Sequence, residues 1–377
     1  MKENFSCPLW TNSLSLEGGL KRRICCHDHT AEIENLGEDL DHFEISKRIR
    51  ETASNGTIPE NCMGCYKLEQ STGDSPRLFY KEFFKNNTDD GLYYVDITFE
   101  NFCNLSCFTC KPIYSDKIER EFNTLNIPYE RNGLGANNFN LQFESTKAQI
   151  LDSLQNNSLI VISGGEPALS KNVLNFIKEL SNLNIAKTAT LRIFSNLTIS
   201  AKWIYPYIKK FKRVEFIISI DAIESRAEYI RYPSKWSKID NNFKELVKET
   251  QGYYNFEINV HSVLSILNFD HLPKLINYFA TSNLKLIPNF TLLDSPKIYK
   301  IENLSKKKIE QVRENLFNFI SSLDETFFDN PSLTELKNIV KNINPESEDH
   351  LLDLFLHHKK LDQSRNKYLL EEITYLK

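Results

Sequence analysis

The sequence predicts an α/β protein: a partial (β/α)6 barrel over residues 91–303, a small cysteine-rich metal-binding module before it over 1–90, and a helical C-terminal extension over 304–377. Three observations lead there. All eight cysteines of the 377-residue chain lie at or before Cys110. From Tyr93 onward, short β-prone runs alternate with longer amphipathic segments, the pattern of parallel strands covered by helices. From Leu304 to the end the chain reads as helices, many of them charged. The length suits two or three domains of about 150 residues. A composition of 41% apolar and 25% charged residues excludes a fibrous or extensively disordered chain.

Taken in order, the first 90 residues hold Cys7, Cys25, Cys26, Cys62 and Cys65, a Gly18-Gly19 turn signal and a loop around 55–59, with little long-range regularity. Strands are predicted over 94–99, 158–163, 188–195, 214–219, 257–262 and 285–290. Helices are predicted over 114–123, 171–183, 201–211, 237–250 and 272–281. Six βα units of this kind place ligand chemistry at the carboxyl ends of the strands. The Asn-rich stretch 124–157 is longer than an ordinary connection and reads as an insertion or a mobile loop.

The net charge of -4 gives no global basicity for nucleic-acid binding. The N-terminus lacks the apolar run of a secretory signal, and no apolar stretch is long enough to span a membrane. A cytoplasmic location is therefore expected. Thiols stay reduced there, and clustered cysteines bind metal more often than they form disulfides.

Cys103, Cys107 and Cys110 form a Cys-x3-Cys-x2-Cys loop directly after the first predicted strand. Cysteine thiolates are the ligands of iron–sulfur clusters. Three on one tight loop hold three corners of a four-iron cluster and leave one iron open to a non-protein ligand. Structural zinc is the alternative; it closes its tetrahedron with four protein ligands, and neither a His nor a fourth Cys sits near the trio in sequence.

The trio resembles the signature of the radical S-adenosylmethionine enzymes, and its place after the first barrel strand is similar to theirs. A second motif agrees: the β run Ile160-Val161-Ile162-Ser163 ends in Gly164-Gly165-Glu166-Pro167. Paired glycines let the backbone approach a ligand closely, and the proline fixes the turn. An ordinary strand-to-helix turn is the alternative, yet Gly252 is the only glycine after Gly165. The resemblance implies that this motif's backbone meets the methionyl amino group of the cofactor. It also makes Ser195, Asn196, Ser219, Asp221 and Arg231 candidates for the cofactor's carboxylate and ribose. Helix capping is the competing role for Ser195, Asn196 and Asp221. One departure stands out. The family usually carries an aromatic residue immediately before the last cysteine, near the adenine; here Thr109 occupies that place and Phe108 comes one earlier.

Of the five earlier cysteines, Cys62 and Cys65 form a pair, and Cys7 with one of Cys25 and Cys26 completes four ligands for zinc or a fully ligated cluster. The wider pattern, with Cys7-Pro8-Leu9-Trp10, Glu69, Gly73, Ser75 and Arg77, is similar to an auxiliary-cluster segment in the twitch or SPASM-type branch of that family. The stretches 262–268 and 361–365 resemble the same branch, which favours iron–sulfur over zinc. One thiol of the Cys25-Cys26 pair is left over. It reads as a small buried residue, with hydrogen-atom donation or metal ligation as the functional alternative. His27 and His29 read as exposed loop histidines.

The resemblance implies a [4Fe-4S] cluster on the trio, S-adenosyl-L-methionine on its open iron, and reductive cleavage to a 5′-deoxyadenosyl radical that abstracts a substrate hydrogen. A flavodoxin or ferredoxin is the implied electron donor. A peptide or protein side chain is the preferred substrate, and a small molecule such as a sugar, nucleotide or antibiotic precursor is the alternative. The competing class is a non-catalytic protein with structural metal at both sites. No residue is assigned as a catalytic acid, base or nucleophile.

Overall fold

The computed structural model describes residues 5–17, 21–28, 30, 34–35, 44–87, 91–129, 139–345 and 351–376. Gly18, Gly19, His29 and residues 130–138 of the long connection lie outside the described residues. The strands are β1 (Ser13–Glu17), β2 (Lys21–Arg23), β3 (Glu34–Asn35), β4 (Leu92–Thr98), β5 (Leu154–Ser163), β6 (Thr190–Ser195), β7 (Arg213–Ser219), β8 (Phe256–Leu264) and β9 (Asn289–Leu292). The helices are α1 (Glu44–Ser54), α2 (Met63–Thr72), α3 (Pro76–Phe83), α4 (Asp116–Thr124), α5 (Phe139–Ser153), α6 (Lys171–Leu180), α7 (Glu224–Ile230), α8 (Trp236–Thr250), α9 (Leu272–Ala280), α10 (Lys306–Ser321), α11 (Pro331–Asn342), α12 (Leu351–Arg365) and α13 (Leu369–Glu372). They form two compact units: Met1–Asn101 with Arg131–Phe194 and Ile204–Glu215, and Phe102–Glu130 with Ser195–Trp203 and Phe216–Lys377. This is a mixed α/β fold with a mostly parallel sheet, and β7 has residues in both units.

In the first unit the strand order is β3-β2-β1-β4-β5-β6, followed by the start of β7. β1, β4, β5 and β6 run parallel, and β2 and β3 add antiparallel pairs at the edge. The cysteine-rich segment thus extends the sheet, where the sequence suggests little regularity. Leu14 pairs with Val95 and Leu16 with Ile97. Ser13, Ser15 and both leucines are buried, so the strand lacks the polar face by which a half-buried strand is recognised. Val95, Ile97, Ile160 and Ile162 are completely buried on the central strands. α6 covers them as an amphipathic helix should: Ser170 caps it by accepting the Val173 N–H at 3.1 Å, and Val173, Phe176, Ile177 and Leu180 fall on one buried face. The Phe176 ring meets Phe99 edge-on at 5.3 Å between centroids.

In the second unit the order is β7-β8-β9, with β8 and β9 parallel. α8 buries Ile239, Phe243 and Leu246; α9 buries Leu272, Leu275, Ile276 and Phe279; Phe243 meets Phe279 edge-on at 5.4 Å. The C-terminal extension is helical as expected. Asn330 caps α11 ahead of Pro331, and Arg313 on α10 donates to the carbonyls of Val340 and Ile343 at the C-terminal end of α11. Among the described residues no helix is long and apolar enough to cross a membrane.

Three sequence readings differ: the stretch 124–157, read as an insertion or a mobile loop, carries α5 and the first residues of β5. The helix expected over 201–211 is a pair of 3-10 turns, Ala201–Trp203 and Tyr205–Lys210, because Pro206 removes a donor where a longer helix needs one. The strand expected over 285–290 begins only at Asn289. Lys285 is left-handed at φ 46° and Pro288 has no N–H for the ladder.

Two histidines of the second unit are held neutral by burial. His271, whose Nε2 accepts the Ile223 N–H, and His357 on α12 are both pushed down to about 4 from 6.5. The unfolded chain takes up these protons first as pH falls, so their contribution to stability is complete above pH 6.5 and is lost toward pH 4. Urea midpoints at about pH 7 and about pH 4.5 should show this loss, and His357→Gln should show a smaller drop than the native chain.

Candidate functional site

The trio loop has no regular secondary structure, and its backbone is fixed by partners elsewhere in the second unit. Ser106 N–H donates to the Tyr232 carbonyl at 2.6 Å and Phe108 N–H to that of Ile230 at 3.0 Å. Cys103 N–H donates to Asp116 Oδ1 at 3.1 Å, on the first turn of α4. Ser115 caps that helix while its hydroxyl donates to the Leu105 carbonyl at 2.7 Å. Asn196 Nδ2 reaches Asn104 Oδ1 at 3.1 Å and lies 4.0 Å from Cys103 Sγ; Asn104 in turn donates to Thr198 at 2.7 Å. All three thiols are half-buried. Burial pushes Cys107 up to about 12, against the pull of the Arg231 cation. Cys110 is pushed up to about 11 by burial and by its neighbour Cys103. In this environment Cys107 and Cys110 keep their protons until a metal displaces them.

Asp221 and Arg231, both predicted site residues, form one buried pair. Arg231 Nη2 lies 2.8 Å from Asp221 Oδ2, whose side chain is completely buried, and Asp221 Oδ1 accepts the Val263 N–H at 2.9 Å. Asn268 closes the neighbouring turn by donating to the carbonyls of Asp221 and Val263. Arg231 favours the thiolate form of both Cys107 and Cys110. Ser195 and Asn196 engage their own turn: Ser195 Oγ accepts the Leu197 N–H at 3.0 Å, and Asn196 Oδ1 accepts from Thr198 at 2.9 and 2.6 Å. Ser219 is the half-buried last residue of β7.

In the first unit, β5 ends in Gly164 and Gly165, left-handed at φ 75° and 53°. A Cβ on Gly164 would fall 2.2 Å from Thr98 Cγ2, so the strand end needs glycine for conformation and for space. Glu166, 1% exposed, caps the following 3-10 turn through the Ala168 N–H, and Pro167 opens it.

The same unit gathers four of the five earlier cysteines. Cys7, Cys25, Cys62 and Cys65 line one cavity with Trp10, Arg77 and Tyr80. Cys26 turns away from it, to 3.2 Å from Tyr94 Oη, and is exposed rather than buried as expected. His27, expected on an exposed loop, is half-buried and lines the cavity. The quoted pattern downstream is a bolt between two helices. Gly73 ends α2 in a left-handed cap, Ser75 caps α3, and Glu69 accepts from Ser75 at 2.6 Å and from Arg77 at 2.8 and 2.6 Å. Asn61 holds the Cys62 turn by donating to Asp28 at 2.9 Å. Burial pushes Cys7 up to about 12 and Cys62 to about 11. Among the described residues no group of three or more His, Cys, Asp or Glu is drawn close enough to hold a metal ion as it stands.

Sequence reasoning missed what surrounds Phe108. Instead of lying open for stacking, its ring is buried against His358 at 4.4 Å and Tyr229 at 5.0 Å, with the Arg365 guanidinium 4.3 Å from its centre. These partners lie far along the chain, and no local pattern announces them.

No family model and no curated protein matches the sequence. Among solved structures the chain is similar to native anSMEcpe with bound AdoMet, with a TM-score of 0.43 and 20% identity over 59% of this chain and 58% of that one. It is also similar to Streptococcus suis SuiB bound to precursor peptide SuiA, at 0.37 and 15% over 74% of this chain and 60% of that one. TYW1 with a lysine-pyruvate adduct bound gives 0.35 and 14% over 74% of this chain and 90% of that one. The chain thus spans less than two thirds of anSMEcpe and of SuiB.

Gly164→Ala should cost on the order of 2 kcal/mol in chemical denaturation, from the left-handed backbone and the overlap with Thr98. Thr98→Ser removes the methyl that clashes. The double variant should therefore recover part of the loss, a positive coupling in a double-mutant cycle.

Proposed function

We propose that this chain is a radical S-adenosylmethionine enzyme of the twitch or SPASM-type branch that abstracts hydrogen from a peptide or protein side chain. The observation that carries the reading is the trio. Cys103, Cys107 and Cys110 are half-buried thiols on one loop pinned through its backbone, and no cysteine follows them in the sequence. A donor set made only of thiolates suits an iron–sulfur cluster, and three ligands leave a position for S-adenosyl-L-methionine. When bound, the cluster and cofactor supply reductive cleavage to a 5′-deoxyadenosyl radical, the hydrogen-abstracting agent.

The protein's own residues bind, orient and exclude water. Arg231, neutralised by Asp221, favours the thiolates the cluster requires. Gly164 and Gly165 offer bare backbone for the methionyl amino group, with Glu166 and Pro167 fixing the turn behind them. Ser219 is the candidate for the ribose or carboxylate, while Ser195 and Asn196 shape the turn after β6. An auxiliary iron–sulfur cluster on Cys7, Cys25, Cys62 and Cys65 completes the reading, supported by the cavity those four line. The electron donor is a flavodoxin or ferredoxin. The peptide substrate follows from the resemblance of the N-terminal segment.

After anaerobic reconstitution with iron and sulfide, the native chain should convert S-adenosylmethionine to 5′-deoxyadenosine with dithionite, and the variant with Cys103, Cys107 and Cys110 all replaced by Ala should form none. Product surviving the triple change would overturn the assignment. Iron analysis tests the second site: Cys25→Ser should lose about half the iron, on the basis of two four-iron clusters, and Cys26→Ser should keep it all. Full iron in Cys25→Ser removes the auxiliary cluster from the proposal.

A further inference from the structure

α12 carries His358, Asp362 and Arg365 at successive turns of one buried face. Arg365 makes a two-point ion pair, Nε to Glu121 Oε1 at 2.8 Å and Nη2 to Oε2 at 2.6 Å, with side chains 3% and 16% exposed. Its guanidinium lies over Phe108, and 5.0 Å from the ring centre of Tyr232, whose carbonyl holds Ser106. His358 packs on Phe108 from the same helix. Its Nδ1 is 2.7 Å from Tyr229 Oη, which donates to Asp362 at 3.0 Å, while Asp362 accepts the Leu369 N–H at 2.7 Å. The residue that follows Cys107 is therefore gripped by the C-terminal extension, and the grip is polar and geometrically specific.

We infer that Arg365 is a positioning residue of the thiol loop: through Phe108 and Glu121 it fixes the backbone between Cys107 and Cys110, making the C-terminal extension a working part of that site. Three features of the structure carry this. A bidentate fork with stacking is a geometry that Arg supplies and Lys does not. Arg365 is buried and Glu121 half-buried, so the cation is committed to this one carboxylate. Phe108 stands between two of the three thiols, so any shift of its ring moves both. The inference concerns the loop and holds whichever group the thiols bind.

The test is hydrogen exchange on the metal-free full chain, read at the peptide covering 103–110, where the Ser106 and Phe108 amides report docking. Arg365→Lys and Arg365→Met should speed exchange there about tenfold or more while β5 amides stay unchanged. Glu121→Gln, which leaves the stacking and weakens the fork, should give a smaller increase and serves if the Arg365 variants do not fold. Alkylation mapped by mass spectrometry gives an independent readout: Cys107 and Cys110 should react severalfold faster in the variants, with exposed Cys26 unaltered. Unchanged exchange over 103–110 with fraying confined to α12 would overturn the inference. A uniform rise across the chain would do so as well, since it would mark Arg365 as a contributor to general stability only.

Discussion

The loop bearing the three thiols is neither helix nor strand, so its main-chain groups depend on partners that no regular ladder supplies. Here two amides of the loop, those of Ser106 and Phe108, donate to the carbonyls of Tyr232 and Ile230 respectively, at and just beyond the end of α7. Around that pairing the rest of the second unit is arranged. α4 begins at the loop's end and is tied to it by Ser115 and Asp116. The turn after β6 meets it through Asn196 and Asn104. α12 covers Phe108 from the C-terminal extension.

Charge around the loop obeys the same economy. Arg231 and Arg365 both favour thiolate at Cys107, and each is neutralised by a carboxylate, Asp221 or Glu121. An unpaired buried cation costs far more than a paired one, and a cation paired on one side still projects a field on the other. Cys107 remains protonated because burial outweighs both cations. A group that binds there must supply positive charge of its own.

The N-terminal segment solves a different problem. It contributes strands to the edge of the first unit's sheet and brings four cysteines to one cavity by means of short turns, each fixed by a polar bond: Asn61 to Asp28, Arg77 to Glu69. Adjacent cysteines at 25 and 26 diverge, one toward that cavity and the other toward Tyr94, which sorts thiols that sequence spacing leaves equivalent.

What the amino-acid order determined by itself is whatever rests on local periodicity and spacing. The alternation of strands and helices from β4 to β9, the helical C-terminus, the glycine-bearing end of β5 and the close spacing of Cys103, Cys107 and Cys110 are all legible, because each depends on residues within a few positions of one another. Tertiary structure alone decided the rest. β1 was hidden because Ser13, Leu14, Ser15 and Leu16 are all buried, which removes the alternation that betrays a strand, and its parallel partner β4 lies about 80 residues away. Thr109 and Phe108 look like a displaced aromatic in the sequence; the fold makes Phe108 an anchor, through His358 and Arg365. No pattern in the neighbourhood of Cys107 encodes those contacts, since side chains far apart in sequence meet only once the backbone between them is folded.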